Sequence, residues 1–268
     1  MTASSTEIRI NVLTQNVLHD VTRSKDGLIA SQDNRVAAIA DNLQAFPGSL
    51  DVVGAQEAHK SPNQHNGEAL AQKCGFNPGA WLQHNEKPHP HSSTGRSNEY
   101  IGLFGAMVDL GNVCKLELGD NRRALLTTIA GVALVTLHLR AGGYKAWPLR
   151  RAQAQALGEQ LEQYEDVVLF GDFNEPPIKL VAPGRSVFEK QGYQSVFSLL
   201  GESHPKTFPV GRYADVYGMR SRWSLDDIMI RGSRVQTLAA GVISQVAGDA
   251  TDHNGIWATL NITPPLHD

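Results

Sequence analysis

Acids, amides and histidines that could hold a cation or move a proton recur along this chain, each beside an apolar stretch. Asp172 and Asn174 stand one residue apart directly after Val167-Val168-Leu169-Phe170-Gly171, and side chains so spaced in extended backbone leave the same face. Asn16 closes an alternating run that begins at Ile8. Glu57 follows Val52-Val53-Gly54-Ala55-Gln56, and His138 lies near the end of the apolar run 132–139. Asp226 heads Asp227-Ile228-Met229-Ile230, and Asp252-His253 come just before the apolar run 256–262. Carboxylate and carboxamide oxygens suit a hard cation such as Mg2+ or Mn2+. Histidines stabilise phosphate charge or transfer protons, and an aspartate beside a histidine fixes its tautomer. The set therefore matches metal-assisted hydrolysis of a phosphate ester. There is no GxSxG nucleophile motif, and neither GxGxxG nor GxxxxGK[ST] occurs, so a nucleotide cradle is unsupported.

Taken singly, each group has a plain structural reading. Asp172 and Asn174 could make an Asx turn, Glu57 could be a loop acid, His138 a core histidine and Asp226-Asp227 a solvated pair. The functional reading needs the strands to deliver all of them to one edge. Ile8, Ile10 and Val12 alternate with polar neighbours, which predicts a half-buried strand ending at Asn16. Val36, Ile39, Ala40 and Leu43 predict a helix, with Ser31 or Asp33 as cap and Phe46-Pro47-Gly48 as its stop. Further strands are expected at 51–57, 100–108, 113–118, 124–129 and 132–139, the last two forming a hairpin around Ala130-Gly131. A short helix is expected at 67–74, and 77–98 reads as a long polar loop carrying His84, His89 and His91. Pro148 opens a helix with Ala152, Ala156, Leu157 and Leu161 on one side and Arg150 and Arg151 on the exposed side. The unbroken run 167–170 is a buried strand, and Glu175-Pro176-Pro177 sends the chain into a loop. Then follow a short helix at 186–190, an irregular stretch 193–209, a strand at 223–230 with 235–243 as its partner, and a last strand at 256–262. Strands and helices interleave throughout, so residues 1–268 are expected to form one domain of two packed sheets with helices outside.

Gln15-Asn16, Gln56-Glu57, His138-Leu139, Gly171-Asp172-Phe173-Asn174, Leu225-Asp226-Asp227-Ile228 and Thr251-Asp252-His253, in this order along nearly the whole chain, resemble the endonuclease/exonuclease/phosphatase superfamily. Deoxyribonuclease I, abasic-site nucleases, sphingomyelinases and inositol polyphosphate phosphatases belong to it. The resemblance implies an α/β (α+β), deoxyribonuclease I-like fold, a four-layer sandwich of two mixed β-sheets flanked by helices. It also implies a Mg2+- or Mn2+-dependent phosphoesterase in which water attacks phosphorus in line without a covalent intermediate. Glu57 is then the principal metal ligand, with Asn16 close by and Asp252 near the same ion. Asp172 and Asn174 orient the attacking water and the phosphate. His253, held by Asp226, acts as base or as transition-state stabiliser, and His138 contacts the phosphate or the leaving oxygen. How the two histidines and Asp172 divide the work stays open at this level. The sequence also departs from the family pattern. Leu18 stands where abasic nucleases carry an acid, Thr251 replaces a serine, Asn254-Gly255-Ile256 follows the histidine, and Asp227 adds charge after Asp226. Tyr100, Arg140 and Arg96 are further candidates for phosphate contact, with a plain surface role as the alternative for the two arginines.

A formal net charge of -3 argues against tight non-specific binding to nucleic acid, so a small phosphate ester is favoured and a DNA nuclease is the alternative. Arg222-Trp223-Ser224-Leu225-Asp226 echoes the inositol phosphatase motif only in part, with no arginine after the acid. Cys74 and Cys114 allow one disulfide and no framework. The first residues are polar, without an apolar signal region, and no run approaches a membrane span, so a cytoplasmic protein with reduced thiols is expected. Oligomeric state is not encoded in any pattern found here. A catalytically silent binding module on the same fold is a rival of another class, but Glu57 and His253 are both present. A zinc protein built on the histidine-rich loop is a second rival, without metal-ligand spacing to support it.

Overall fold

The structure, a computed structural model, describes residues 6–17, 32–61, 64–77, 79–83, 98–178, 181–210, 221–244 and 250–265. In chain order the strands are β1 (Ile8–Asn16), β2 (Val52–Ser61), β3 (Gln64–His65), β4 (Ala80–Gln83), β5 (Asn98–Phe104), β6 (Cys114–Gly119), β7 (Arg122–Ile129), β8 (Val132–His138), β9 (Val167–Asp172), β10 (Gln194–Ser195), β11 (Asp226–Arg231), β12 (Val235–Ile243) and β13 (Gly255–Ile262). The helices are α1 (Gln32–Gln44), α2 (Asn66–Lys73), α3 (Trp147–Gln160), α4 (Pro183–Lys190) and the single turn α5 (Val196–Leu199).

Strand order in the first sheet is β12-β13-β1-β2-β5-β4, with β3 paired to β2, and in the second β10-β11-β9-β8-β7-β6. Alternation along the strands separates two faces. Ile10, Val12, Val52 and Leu103 of the first sheet meet Leu134, Val168, Phe170 and Ile228 of the second in an apolar layer between them. Leu13, Val53 and Phe104 point the other way, onto Val36, Ile39 and Leu43 of α1 and Leu70 of α2. Val135, Leu137 and Leu169 likewise pack on Leu157 of α3 and Phe188 of α4. Each sheet is thus buried on both faces, which gives the four-layer sandwich of two mixed sheets flanked by helices. It also explains why 167–170 is apolar without alternation.

Both sheets share one design at their centres. In the first, β1 and β2 run parallel, flanked by antiparallel β13 and β5. In the second, β8 and β9 run parallel, flanked by antiparallel β7 and β11. Parallel neighbours end at the same edge, whereas an antiparallel neighbour begins there. Gly171 lets β8 and β9 close at that edge: its φ is +151°, and a β-carbon on it would collide with the Leu137 carbonyl.

Several expected elements differ. The segment 235–243 is not the partner of the strand ending at Arg231. β12 pairs with β13 in the first sheet, while β11 pairs with β9 and β10 in the second. The turn at Gly232, with φ +108° and no room for a β-carbon against Asp166, carries the chain from one sheet to the other. The buried stripe of α3 is Arg150, Gln153, Ala154, Leu157 and Gly158, while Ala152 is exposed. A polar face is buried there because it carries ionic contacts, which hydrophobic spacing cannot register. A short strand, β4, lies within the expected loop 77–98. Leu18, Ser31, His84, His89, His91 and Arg96 lie outside the described residues. Cys74 is buried and Cys114 exposed, both as free thiols. No helix among the described residues is long and apolar enough to cross a membrane.

Helix α2 is tied to β2, the strand that carries Glu57. His65 caps the helix by accepting from the Glu68 amide, and its ring packs edge-on against Tyr100. Burial pushes the His65 imidazole down to about 4, against about 6.5 in an unfolded chain. The unfolded state therefore takes up the proton first. The contribution of neutral His65 is complete above pH 6.5 and drains as pH falls towards 4. His65→Asn keeps a capping acceptor and removes the titration. Thermal melts of both proteins should show the stability margin of wild type over variant largest at pH 7 and shrinking steadily to pH 4.5. A margin independent of pH would contradict this account.

Candidate active site

The ends of the parallel pairs build the site. Asn16 is in register with Gln56, beside Glu57, and His138 is in register with Asp172. Asp226, the first residue of β11, lies opposite Asp172 from the other side. Asp252 and His253 precede β13, whose Ile256 pairs with Thr14 of β1. Backbone bonds extend the ladders just past these positions: Val17 donates to the Gln56 carbonyl, Leu139 to that of Asp172, and Phe173 to that of Leu225. The site residues of β1, β2, β8, β9 and β11 are therefore held by the last rungs of a sheet, whereas Asp252 and His253 sit in the bend just before β13.

One atom is the meeting point. Asp172 Oδ1 accepts from the Asn174 amide at 2.6 Å, which leaves Oδ2 to face inward. Asn16 Nδ2 donates to that Oδ2 at 3.2 Å and to Glu57 Oε1 at 3.0 Å. His138 Nε2 and His253 Nε2 both lie 3.8 Å from the same Oδ2. His138 Nε2 is 3.7 Å from Glu57 Oε1. His253 Nδ1 meets Asp226 Oδ2 at 2.8 Å, and the imidazole stacks obliquely on Phe208 at 4.8 Å. Two groups of ligand atoms result, Glu57–His138–Asp172 and Asp172–Asp226–His253, each within 4.8 Å of one another and joined through Asp172. Asp252 belongs to neither group. Its Oδ1 lies 4.0 Å from His253 Nε2. Asn174 turns away, its amide donating to the Leu139 carbonyl at 2.9 Å. Asn16, Glu57, His138, Asp172, Asp226, Asp252 and His253 thus share one edge, with the Asn174 backbone beneath them. Tyr100 instead packs on His65. Arg140 approaches Asp120 at 3.7 Å, on the surface.

The cluster is electrostatically unbalanced. Burial, with the charges of Asp226 and Glu57, pushes Asp172 up to about 7, although His253 and the Asn174 amide pull the other way. Burial by itself would lower His253, but the charge and hydrogen bond of Asp226, with Asp252 and Asp172 behind, hold it well above its ordinary value. Carboxylates crowded out of water without enough positive charge are what a bound cation would relieve. Hard carboxylate oxygens from Glu57 and Asp172, with the Asn16 amide beside them, suit Mg2+ or Mn2+, so the residues present fit the metal that the sequence led us to expect.

Behind this edge lies a second layer of buried charge. Arg150, 1% exposed, donates to Glu175 Oε1 at 2.8 Å and to the carbonyls of Arg140 and Gly143. Arg185 reaches the Glu175 carbonyl and pairs with Asp227, which also accepts from Ser195 Oγ and lies 3.1 Å from His204 Nε2. Both placements correct the sequence reading. Arg150 is not on the exposed side of α3, and Asp227 does not add charge to the site. Strand alternation sends Asp227 to the face opposite Asp226. Despite burial, His204 and Arg185 hold its carboxyl down at about 2. The network clamps the loop after Asn174 against α3, α4 and β11.

Three further contributions have no assignment in the sequence reading, although Gln56 and Thr251 belong to its motifs. Thr14 Oγ1 donates to Gln56 Oε1, and Gln56 Nε2 donates to Thr136 Oγ1, forming a buried polar rung between the sheets just below Asn16 and His138. Thr207 Oγ1 accepts from the amides of Leu225 and Asp226, fixing the start of β11. Thr251 keeps the hydroxyl of the serine it replaces, donating to the Asn16 carbonyl at 2.7 Å and accepting from the His253 amide. A threonine two residues before Asn16, and another two before His138, was the available signal for the rung, because both share a strand face with their site residue.

The model described as Endonuclease/Exonuclease/phosphatase family matches residues 13–253. No curated protein matches the sequence at a significant level. Among solved structures, an endonuclease/exonuclease/phosphatase family protein from Bacteroides thetaiotaomicron is similar, at 14% identity and TM-score 0.68 over 99% of each chain. A protein of the same description from Beutenbergia cavernae reaches TM-score 0.66 at 16% identity, over 97% of this chain and 73% of the other. TDP2 of D. rerio, humanized by 14 mutations, reaches 0.61 at 17% identity, over 94% of this chain and 99% of that one. At such identities the likeness establishes the fold.

Glu57 sits in the left-handed region, with φ +57°, at the bulge of β2 against β5 between Ala55 and Ala58. An ordinary residue there is strained by about 1–2 kcal/mol, and asparagine much less. Glu57→Asn relieves that strain and removes one of the crowded carboxylates. In EDTA its melting temperature should exceed wild type by about 2–4 °C for each kcal/mol recovered. Mg2+ or Mn2+ should raise the wild-type melting temperature and leave that of the variant unchanged. Calorimetry with and without metal checks both; a destabilised variant in EDTA would refute the strain.

Proposed function

Because the chain belongs to the endonuclease/exonuclease/phosphatase family, we propose that it is a divalent-metal-dependent phosphoesterase, hydrolysing a phosphodiester or phosphomonoester by direct in-line attack of water. The observation that carries this reading is the buried Asp172 carboxylate, whose Oδ2 faces the Asn16 amide and both imidazoles. Glu57 would hold Mg2+ or Mn2+ as principal ligand, with Asn16 close by and Asp252 near the same ion. When bound, the cation stabilises the charge that develops on the phosphoryl oxygens.

The chain's own residues do the rest. Asp172 and the Asn174 turn place the attacking water. Asp226 accepts the Nδ1–H of His253, so its Nε2 is the atom presented to the reacting groups, as base or as charge stabiliser. His138 presents its Nε2 from the opposite side, towards the phosphate or the leaving oxygen. A net charge of -3 favours a small phosphate ester over extended nucleic acid.

Hydrolysis of an aryl phosphodiester and its monoester, each with Mg2+, Mn2+ or EDTA, tests the reading. Wild type should turn over one of the esters only with metal, and His253→Ala and Glu57→Ala should each lose about 10²–10⁴-fold in kcat/KM. Equal rates in the three proteins, or indifference to EDTA, would overturn it. An abasic DNA duplex run alongside decides between the small ester and the nuclease.

A further inference from the structure

His253 and His138 face Asp172 through the same atom, Nε2, but are held from behind by opposite kinds of partner. Behind His253, Nδ1 meets a carboxylate, which can only accept, so Nδ1 carries the proton. Behind His138, Nδ1 lies 3.3 Å from Nη1 of Arg122. A guanidinium has donors and no acceptor, so here Nδ1 must accept, and the ring proton sits on Nε2. Arg122 is 4% exposed and is the first residue of β7, which begins at the edge where β8 ends. Its Nη1 also lies 3.4 Å from Glu99 Oε2 on β5, so the guanidinium is tied across both sheets.

We propose that Arg122 is a positioning residue that locks His138 as the neutral Nε2–H tautomer, a fixed hydrogen-bond donor, and thereby leaves proton transfer to His253. The assignment rests on the phosphoesterase reading for its functional part and settles a division of labour that the residue types leave open. His138 Nε2 stands 3.7 Å from Glu57 Oε1 and 3.8 Å from Asp172 Oδ2, longer than a hydrogen bond. A phosphoryl or leaving oxygen entering between them receives the Nε2–H. A histidine in this state donates without exchanging its proton, so it stabilises charge in the transition state rather than acting as base. Without Arg122, the proton is free to settle on Nδ1, which would turn a lone pair towards an anionic substrate.

The test is long-range 1H–15N correlation of the imidazoles in the full chain with Mg2+ present, with the His138 signals identified by their loss in His138→Asn. The expected wild-type pattern is a protonated Nε2 and an unprotonated Nδ1 at His138, with Nδ1 protonated at His253. In Arg122→Met, which has no donor, the Nε2–H pattern at His138 should be lost, and kcat should fall about 10²-fold with KM within about twofold. Arg122→Lys, which keeps a donor, should restore the Nε2–H pattern and most of kcat. If Arg122→Met fails to fold, Glu99→Gln/Arg122→Met removes both buried charges together. A protonated Nδ1 on His138 in wild type, or a pattern unchanged in Arg122→Met, would overturn the proposal. The spectrum reads the tautomer whether or not any ester is turned over, so absence of activity would strike the phosphoesterase reading alone.

Discussion

The whole edge depends on keeping the Asp172 carboxylate buried among other acids. A carboxylate removed from water costs several kcal/mol unless charge or hydrogen bonds answer it. Here the answer is divided between its two oxygens. Oδ1 is satisfied locally by the Asn174 amide, so the chain's own turn neutralises half the burden. Among the described residues, Oδ2 is answered by the Asn16 amide and, at longer range, by two imidazoles. That asymmetry makes the site receptive to a cation. A carboxylate fully bonded by the protein would have no affinity left to offer, and one exposed to water would be screened.

Such a cluster repels itself, so something else must hold it together. The parallel pairs do this by geometry: strands sharing a direction must end at the same edge, whatever side chains they carry there. The polar rung of Thr14, Gln56 and Thr136 fixes one sheet against the other one layer below the acids. The Arg150–Glu175–Arg185–Asp227 network fixes the loop behind Asn174 with matched charges. Matched pairs of this kind add little net stability, yet losing one partner strands a buried charge. They therefore enforce one arrangement of α3, α4 and β11 rather than strengthening the fold as a whole.

The readable and unreadable parts of this chain divide along physical lines. Asp172 and Asn174 after a buried run, and Asp252-His253 before the last strand, are local patterns, and local pattern determines where a strand ends. The two-sheet sandwich followed from interleaved strands and helices for the same reason. The misreadings concern pairings between distant segments. The partner of β12 depends on the turn at Gly232, whose backbone departs from what its neighbours prescribe. Arg150 looked exposed because hydrophobic spacing counts apolar residues, and the face of α3 buried here carries an ion pair. Asp227 looked like a second site acid because it adjoins Asp226, although period-two alternation already assigned it to the other face. The Arg122–His138 contact joins two strands at their tips and has no signature in either one.

Two residues outside glycine at this edge, Glu57 and Asn174, adopt left-handed backbone, with φ of +57° and +53°. For Asn174 the cost is small, since asparagine visits this region readily and both its amides find partners. For Glu57 it is not, and a fold selected for stability alone would place asparagine or glycine there. Extended backbone would send a side chain from this end of β2 along the pleat, to one face of the first sheet or the other. The bulge between Ala55 and Ala58 breaks that alternation and turns the Glu57 carboxylate inward, to meet the Asn16 amide and approach His138 across the gap between the sheets. Strain at this single residue is thus the means by which an acid on one sheet comes to face a histidine on the other. A site shared between two sheets needs at least one such departure, because regular strands present their side chains to their own faces and not to a common point beyond their ends.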